Sequence, residues 1–183
     1  AAERGATVTQ RLLAFSRQQA LQPEATDLDT LLLNLIDLAS YSLGSKVTVE
    51  TELEPGLAPV FVDPGQLENA ILNLLFNSRD AMPAGGRICV RAASMPALEG
   101  EGDLVRICIE DNGVGMAPDV LAHVYEPFFT TKDKGRGSGL GLSMVYGFVT
   151  QSGGQIDIAS TLAAGTTVSI LLPKAQEGLA SRS

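Results

Sequence analysis

One segment constrains the fold of this chain more than any other: DPGQLENAILNLLFNSRDAM, from Asp63 to Met82. Asp63 can cap a helix, and Pro64 fits its first position because the N–H that proline lacks is one no helix uses. Gln66 can complete a capping box. Leu67, Ala70, Ile71, Leu74 and Leu75 then recur at helical spacing, and Leu72 and Phe76 widen the face beyond a stripe. A helix this apolar has to be buried against another layer. Yet Asn69, Asn73 and Asn77 stand four apart on it. Buried amides cost free energy unless each finds a partner, so the amide row asks for more than packing.

The flanking patterns supply the other layer. A helical pattern over Arg4 to Leu21, with Val8, Leu12 and Phe15 on one side, stops at Gln22-Pro23, where proline removes a donor and disfavours helical geometry before it. Asp27 can cap a helix over Leu28 to Ser42. Lys46 to Leu53 alternates as a strand. Pro83 to Gly86 turns the chain into strands at about Arg87 to Ser94 and Leu104 to Asp111, which pair as a hairpin. Ser138 to Gln151 reads as a helix. Gly154 to Ser160 and Thr166 to Leu172 form a second hairpin across Ala163-Ala164-Gly165. Between Met116 and Gly137 the periodicity breaks, which predicts a long mobile loop of the kind that serves as a functional lid. Hairpins with interspersed helices and no βαβ rhythm predict an α+β two-layer sandwich. At 183 residues and 45% hydrophobic content, the chain is long enough for one well-buried core.

A formal net charge of −8 argues against nucleic acid or an anionic membrane as partner, since both reward a basic face. No apolar run is long enough to cross a bilayer and no signal-peptide pattern opens the chain, so a cytoplasmic location is expected. Cys89 and Cys108 lie in alternating apolar stretches without metal spacing and read as structural thiols.

Chemistry concentrates in two glycine-rich loops. Asp111-Asn112-Gly113-Val114-Gly115-Met116 follows a strand, and Gly135 to Leu142 opens a helix. Free amides at a helix start attract phosphate, so the second loop suits a phosphate cradle; it equally suits a tight turn with close helix packing. It is not a dinucleotide-binding start, because its glycines follow a long loop, and no Walker lysine-serine pair is present. Asn77 offers a neutral, hard oxygen of the sort that fills one position around magnesium bound to phosphates; the alternative is a core amide bonded to backbone.

Asparagines on a helix, DxGxG, a segment with two phenylalanines, GxGLGL and a late GTT together resemble the ATP-binding catalytic domain of sensor histidine kinases. That domain belongs to a superfamily shared with gyrase, MutL and heat-shock ATPases. Asn73 to Ala81 is similar to its N box, Asp111 to Met116 to the first glycine box, and Glu126 to Lys132 to the F box. Gly137 to Leu142 is similar to the second glycine box and Gly165-Thr166-Thr167 to the last. The wording NSRDAM, EPFFTTK and GSGLGLSMVYGFV resembles the nitrogen-regulator and hybrid kinase branch most. The resemblance implies a Bergerat-type fold with a mixed, largely antiparallel sheet. Residues 1–22 would be the end of a second dimerisation helix, 23–174 the catalytic domain and 175–183 a flexible tail.

It also implies site roles, with ATP and magnesium as ligands. Asn77 would ligate magnesium, with Asn73 near the phosphates. Asp111 would accept a hydrogen bond from the adenine amino group, Thr166 would support it through water, and Met116 would pack the ring. Gly113 and Gly115 would leave room for nucleotide. The amides of Gly137, Ser138, Gly139, Leu140, Gly141 and Leu142 would hold the triphosphate, with Thr131 and Lys132 beside it and Lys132 reaching it. Phe128 and Phe129 would anchor the lid. Arg79 and Asp80 would contact phosphate and organise water, or form a surface ion pair.

Relatives that hydrolyse ATP carry a glutamate four residues before the magnesium asparagine, the place of Asn73 here. An amide takes no proton at neutral pH, so water activation is disfavoured, whereas a histidine acceptor is already a nucleophile. The expectation is a histidine kinase, with Asn73, Asn77 and Lys132 as its catalytic set. It would act as a homodimer with its own dimerisation domain and pass phosphate to a response-regulator receiver domain. The alternatives are a nucleotide-binding module without transfer activity and a gyrase-type clamp. The one histidine, His123, lies in Ala-His-Val-Tyr-Glu-Pro-Phe-Phe, which resembles the start of the lid, so the acceptor is expected upstream of Arg4.

Overall fold

The computed structural model describes residues 21–96, 103–132 and 137–175. The opening helical pattern and nearly all of the tail lie outside them. Eleven elements follow in order: β1 (Glu24–Thr26), α1 (Leu28–Leu43), β2 (Val47–Leu53), β3 (Val60–Val62), α2 (Pro64–Asp80), β4 (Gly86–Met95), β5 (Leu104–Asp111), α3 (Pro118–Leu121), α4 (Gly141–Gln151), β6 (Gln155–Thr161) and β7 (Gly165–Pro173). Five strands form the main sheet in the order β2-β4-β5-β7-β6, and β1 pairs with β3 in a small second sheet. All main-sheet pairings are antiparallel except β2 with β4, so the sheet is mixed and largely antiparallel.

Both expected hairpins form, β4 with β5 and β6 with β7. The parallel β2–β4 pair is reached by a crossover through β3 and α2, which the expectation of no βαβ rhythm did not include. Periodicity marks hairpins because their strands adjoin in sequence; a crossover leaves no such mark.

The core lies between the helices and one face of the sheet. Leu32, Leu67, Ile71 and Leu75 from α1 and α2 meet Ile88, Ile107, Ile109, Ile170 and Leu172 from the strands, all essentially solvent-free. The other face carries ion pairs: Arg87 with Glu50, and Arg91 with both Glu52 and Glu110. Along β5 the inward row reads Val105, Ile107, Ile109, Asp111, and along β7 Thr166, Val168, Ile170, Leu172. The last inward position of one strand is therefore a carboxylate, paired in register with the first inward hydroxyl of its neighbour, Thr166.

Capping follows the sequence reading. Asp27 accepts from Thr30 N at 3.1 Å. Asp63 accepts from Gln66 N at 3.0 Å and, through its other oxygen, from Gln22 N at 3.0 Å, so it also ties the chain before β1 to α2. Asp63→Ala is expected to lower unfolding free energy by about 1–2 kcal/mol, measured by denaturant titration.

Two expectations change in detail. Helix α4 begins at Gly141, three residues later than read, because Gly139 takes φ +65° and Ser138 Oγ accepts from Leu140 N at 3.3 Å, a turn in place of a first helical turn. The stretch from Met116 onward is not all loop: α3 interrupts it and Val124 is buried. Strands β1 and β3, three residues each, are too short to show alternation. Among the described residues no helix is long and apolar enough to cross a membrane.

Candidate functional site

Between α2, the lid segment, the start of α4 and the ends of β5 and β7 lies a cleft of about 400 Å³. At its inner end sits Asp111, 6% exposed. Its Oδ1 accepts from Gly113 N at 2.9 Å and Thr166 N at 3.3 Å, and its Oδ2 accepts from Ser78 Oγ at 2.8 Å. Three donors fix the carboxylate plane; the two N–H groups fill Oδ1, and Oδ2 keeps a lone pair for a further donor. Beside it, Ser160 Oγ lies 2.9 Å from Thr166 Oγ1, donates to Gly165 O at 3.0 Å and accepts from Met116 N at 2.8 Å. Val114, Met116, Val120, Val124, Ile158 and Val168 make this end of the cleft apolar.

The other end is polar. Asn73 Nδ2 donates to Asn69 O, one turn back, at 2.9 Å. That bond to the backbone satisfies one donor of the Asn73 amide and does not involve the Asn69 side chain. Asn77 Oδ1 faces the cleft and accepts from Lys132 Nζ at 3.3 Å. The same ammonium is 2.6 Å from Asp80 Oδ2, while Asp80 Oδ1 accepts from Arg79 Nη2 at 2.7 Å. Burial pushes the Asp80 carboxyl up, but Lys132 and Arg79 outweigh it and hold the group below the ordinary aspartate value. A depressed folded value means these pairs stabilise the fold above the unfolded aspartate pKa. Their contribution is lost as pH falls through the depressed one.

Across from α2, the first-turn amides of α4 receive no side-chain cap from Leu140. They stand open beside Asn73: a methyl group on Gly141 would come within 3.2 Å of Asn73 Oδ1. An uncapped helix start attracts anions through its free N–H groups and its dipole. A backbone hydrogen bond joins the lid to this start. Phe128, at φ +68°, donates its N–H to Gly139 O at 2.8 Å, and a methyl group on Gly139 would collide with the Phe128 backbone.

Most residues singled out from sequence line this one cleft: Asn73, Asn77 and Asp80 on α2; Asp111, Gly115, Met116 and Thr166 at the strand ends; and Phe129, Thr131 and Lys132 on the lid. Gly137, Ser138, Gly139, Gly141 and Leu142 line it before and within α4. Four others do not line it. Arg79 turns to α1, donating to Ser42 O at 3.3 Å and lying 5.0 Å over the Phe76 ring. Gly113 packs against the Ala81 carbonyl, Leu140 precedes α4, and Phe128 is 58% exposed. A methyl group on Gly115, at φ +65°, would run into the Thr161 carbonyl, so the β6–β7 turn leaves room there for glycine alone. His123 pairs with Glu126 at 2.7 Å on the exposed surface.

Two residues escaped the sequence reading. Ser78 continues the buried face of α2 one turn after Leu74 and two after Ile71, where the spacing calls for an apolar side chain, and a small hydroxyl there was the available signal. Ser160 lies in an ordinary strand pattern and carried none. Among the described residues no group of three or more His, Cys, Asp or Glu could hold a metal ion, so any cation at this site needs oxygens from elsewhere.

Comparison with known proteins agrees with this geometry. Residues 62–176 match the model of the histidine kinase-, DNA gyrase B- and HSP90-like ATPase family. The sensor kinase CckA of Brucella abortus (strain 2308) is 43% identical over 182 residues, covering 94% of this chain but 19% of that protein. The chain thus spans about a fifth of that relative's length. The mycobacterial sensor histidine kinase MprB superposes with a TM-score of 0.69 at 27% identity, over 83% of this chain and 97% of that one. Full-length ShkA, solved in complex with AMPPNP, superposes with a TM-score of 0.69 at 26% identity, over 85% of this chain and 32% of that one. With more than half of its residues inside that model and the matching cleft in place, the chain belongs to the histidine kinase-, DNA gyrase B- and HSP90-like ATPase family, in the company of sensor histidine kinases.

Proposed function

We propose that this chain is the ATP-binding catalytic part of a sensor histidine kinase that transfers the γ-phosphate of ATP to a histidine on a dimerisation domain. The observation that carries this reading is the contrast between the two ends of the cleft. One end holds a buried carboxylate with a spare lone pair on Oδ2, fitted to accept from the amino group of adenine. The other end holds amides and cations in place of a free acid: among the described residues its one lining carboxylate, Asp80, is engaged by Lys132 and Arg79. A site that activates water needs a base; a site that presents phosphate to imidazole does not.

The residues divide the work. Asp111 orients adenine, backed by Ser78, with Thr166 and Ser160 able to hold a bridging water. Met116 and the valines around it exclude solvent from the ring. Asn77 and Lys132, with the amides at the start of α4, receive the triphosphate. Magnesium fits the Asn77 oxygen, a hard donor already turned to a cation, and when bound supplies neutralisation of phosphate charge. The acceptor imidazole nitrogen attacks the γ-phosphorus, the bond to the β–γ bridging oxygen breaks, and ADP leaves with its electron pair.

The wider assembly follows from the same reading. Residues 23–174 would be the catalytic domain, working in a homodimer with a dimerisation domain. A receiver domain of a response regulator takes the phosphate onward in the cytoplasm, with no nucleic acid and no direct membrane contact by this part. Relatedness to sensor kinases, and the pairing of the acid at the phosphate end, support this over a gyrase-type clamp or a module that binds without transfer.

Mixing the chain with γ-labelled ATP, magnesium and the separately made dimerisation domain tests it. Label on that domain's histidine is expected. Nucleotide binding without label would favour the non-transferring module, and steady phosphate release by this chain alone would favour the clamp.

A further inference from the structure

We propose that Asp80 is a positioning residue: it seats the Lys132 ammonium on Asn77 Oδ1, so that before nucleotide arrives the lysine holds the place of the metal cation. This role presupposes that the cleft binds a metal–nucleotide complex.

Three contacts carry it. Lys132 Nζ is 2.6 Å from Asp80 Oδ2 and 3.3 Å from Asn77 Oδ1, so one ammonium bridges a carboxylate and the amide oxygen assigned to magnesium. Asp80 and Asn77 are three apart on α2, which puts both on the same side of the helix at adjacent turns. Lys132 comes from the lid, 52 residues away from Asp80, so the bridge ties the lid to α2 by charge. The second cation on Asp80, Arg79, occupies its other oxygen and is itself held by the Ser42 carbonyl and the Phe76 ring. Asp80 is thus fixed in orientation by Arg79 and offers Oδ2 to the lid.

A lysine ammonium and a divalent cation cannot share one amide oxygen, because like charges at that separation repel strongly in a partly buried site. Metal and lysine therefore compete for Asn77 Oδ1. When the metal–nucleotide complex enters, Lys132 has to leave Asn77, and the triphosphate oxygens offer its new partners. Asp80 sets how firmly the lysine is held beforehand, and so tunes nucleotide affinity without touching nucleotide.

A double-mutant cycle tests this. Calorimetric titration with magnesium and ADP is run on the chain and on Asp80→Asn, Lys132→Met and the double variant, alongside thermal unfolding of all four without nucleotide. Asp80→Asn is expected to tighten magnesium–ADP binding roughly two- to fivefold, the range of one partly exposed ion pair, and to change it little in the Lys132→Met background. Unfolding temperatures of the nucleotide-free proteins should be non-additive in the same sense, and Asp80→Glu should restore wild-type affinity. Weaker binding by Asp80→Asn, or an equal or larger tightening in the Lys132→Met background, overturns the role, since simple removal of a negative charge near phosphate would do that. If the unaltered chain binds no nucleotide, the reading of the cleft fails and the place-holder role with it. If it binds while the cycle shows no coupling, the place-holder role alone fails.

Discussion

Asp111→Asn is expected to weaken ATP binding by about 10- to 100-fold while leaving the fold intact, because the lost contact is one hydrogen bond to a charged acceptor. The geometry makes the substitution selective. All three partners of the carboxylate are donors in this structure: two backbone N–H groups on Oδ1 and the Ser78 hydroxyl on Oδ2. An asparagine keeps its oxygen on the two N–H groups and turns its amino end to Ser78, whose hydroxyl can rotate and accept. The interior stays satisfied. What is lost is the acceptor that remains for the adenine amino group, since an NH₂ there opposes another donor. Asp111→Ala would be a poorer test: it leaves two backbone N–H groups and a hydroxyl without partners in a buried place, and each orphan costs about 1–3 kcal/mol. Calorimetry with ATP analogues, together with unfolding curves for both variants, separates the two effects.

The second large effect is expected at Asn77. Asn77→Ala should cut phosphoryl transfer by about 100-fold or more, since losing a metal donor removes several kcal/mol of charge neutralisation. Stability should stay within about 0.5 kcal/mol, because the side chain is only partly buried, its recorded partner is the lid lysine, and alanine is the better helix former. The check is transfer to the dimerisation domain at rising magnesium, with unfolding measured in parallel. Asn73→Ala should differ: its amide holds the Asn69 carbonyl and faces the start of α4, so a change in nucleotide affinity would come with looser packing of α4 against α2.

Much of this was legible in the sequence for a physical reason. The apolar face of α2 and the inward rows of β5 and β7 have strict periods, and those periods carry the sandwich. The glycine loops and the asparagine row stood out because they break those periods. What periodicity could not show is where a row ends in a different chemistry. Asp111 belongs to the inward row of β5, and Ser78 to the buried face of α2; each looks like one more core position until the hydrogen bond between them is seen. The parallel β2–β4 pairing depends on a crossover between segments far apart in sequence. The contact of Arg79 across helices, to the Ser42 carbonyl on α1, is one that no spacing within α2 could reveal. The pairing of Lys132 with Asp80 likewise joins a lid to a helix across 52 residues.

The central proposal is one cleft that takes adenine at Asp111 and metal-bound phosphate at Asn77. Calorimetric titration of the chain with AMPPNP, with magnesium and again with excess chelator, tests that most directly. The expected result is one-to-one binding that weakens markedly when magnesium is removed. No binding, or binding of equal strength with and without the metal, would contradict it.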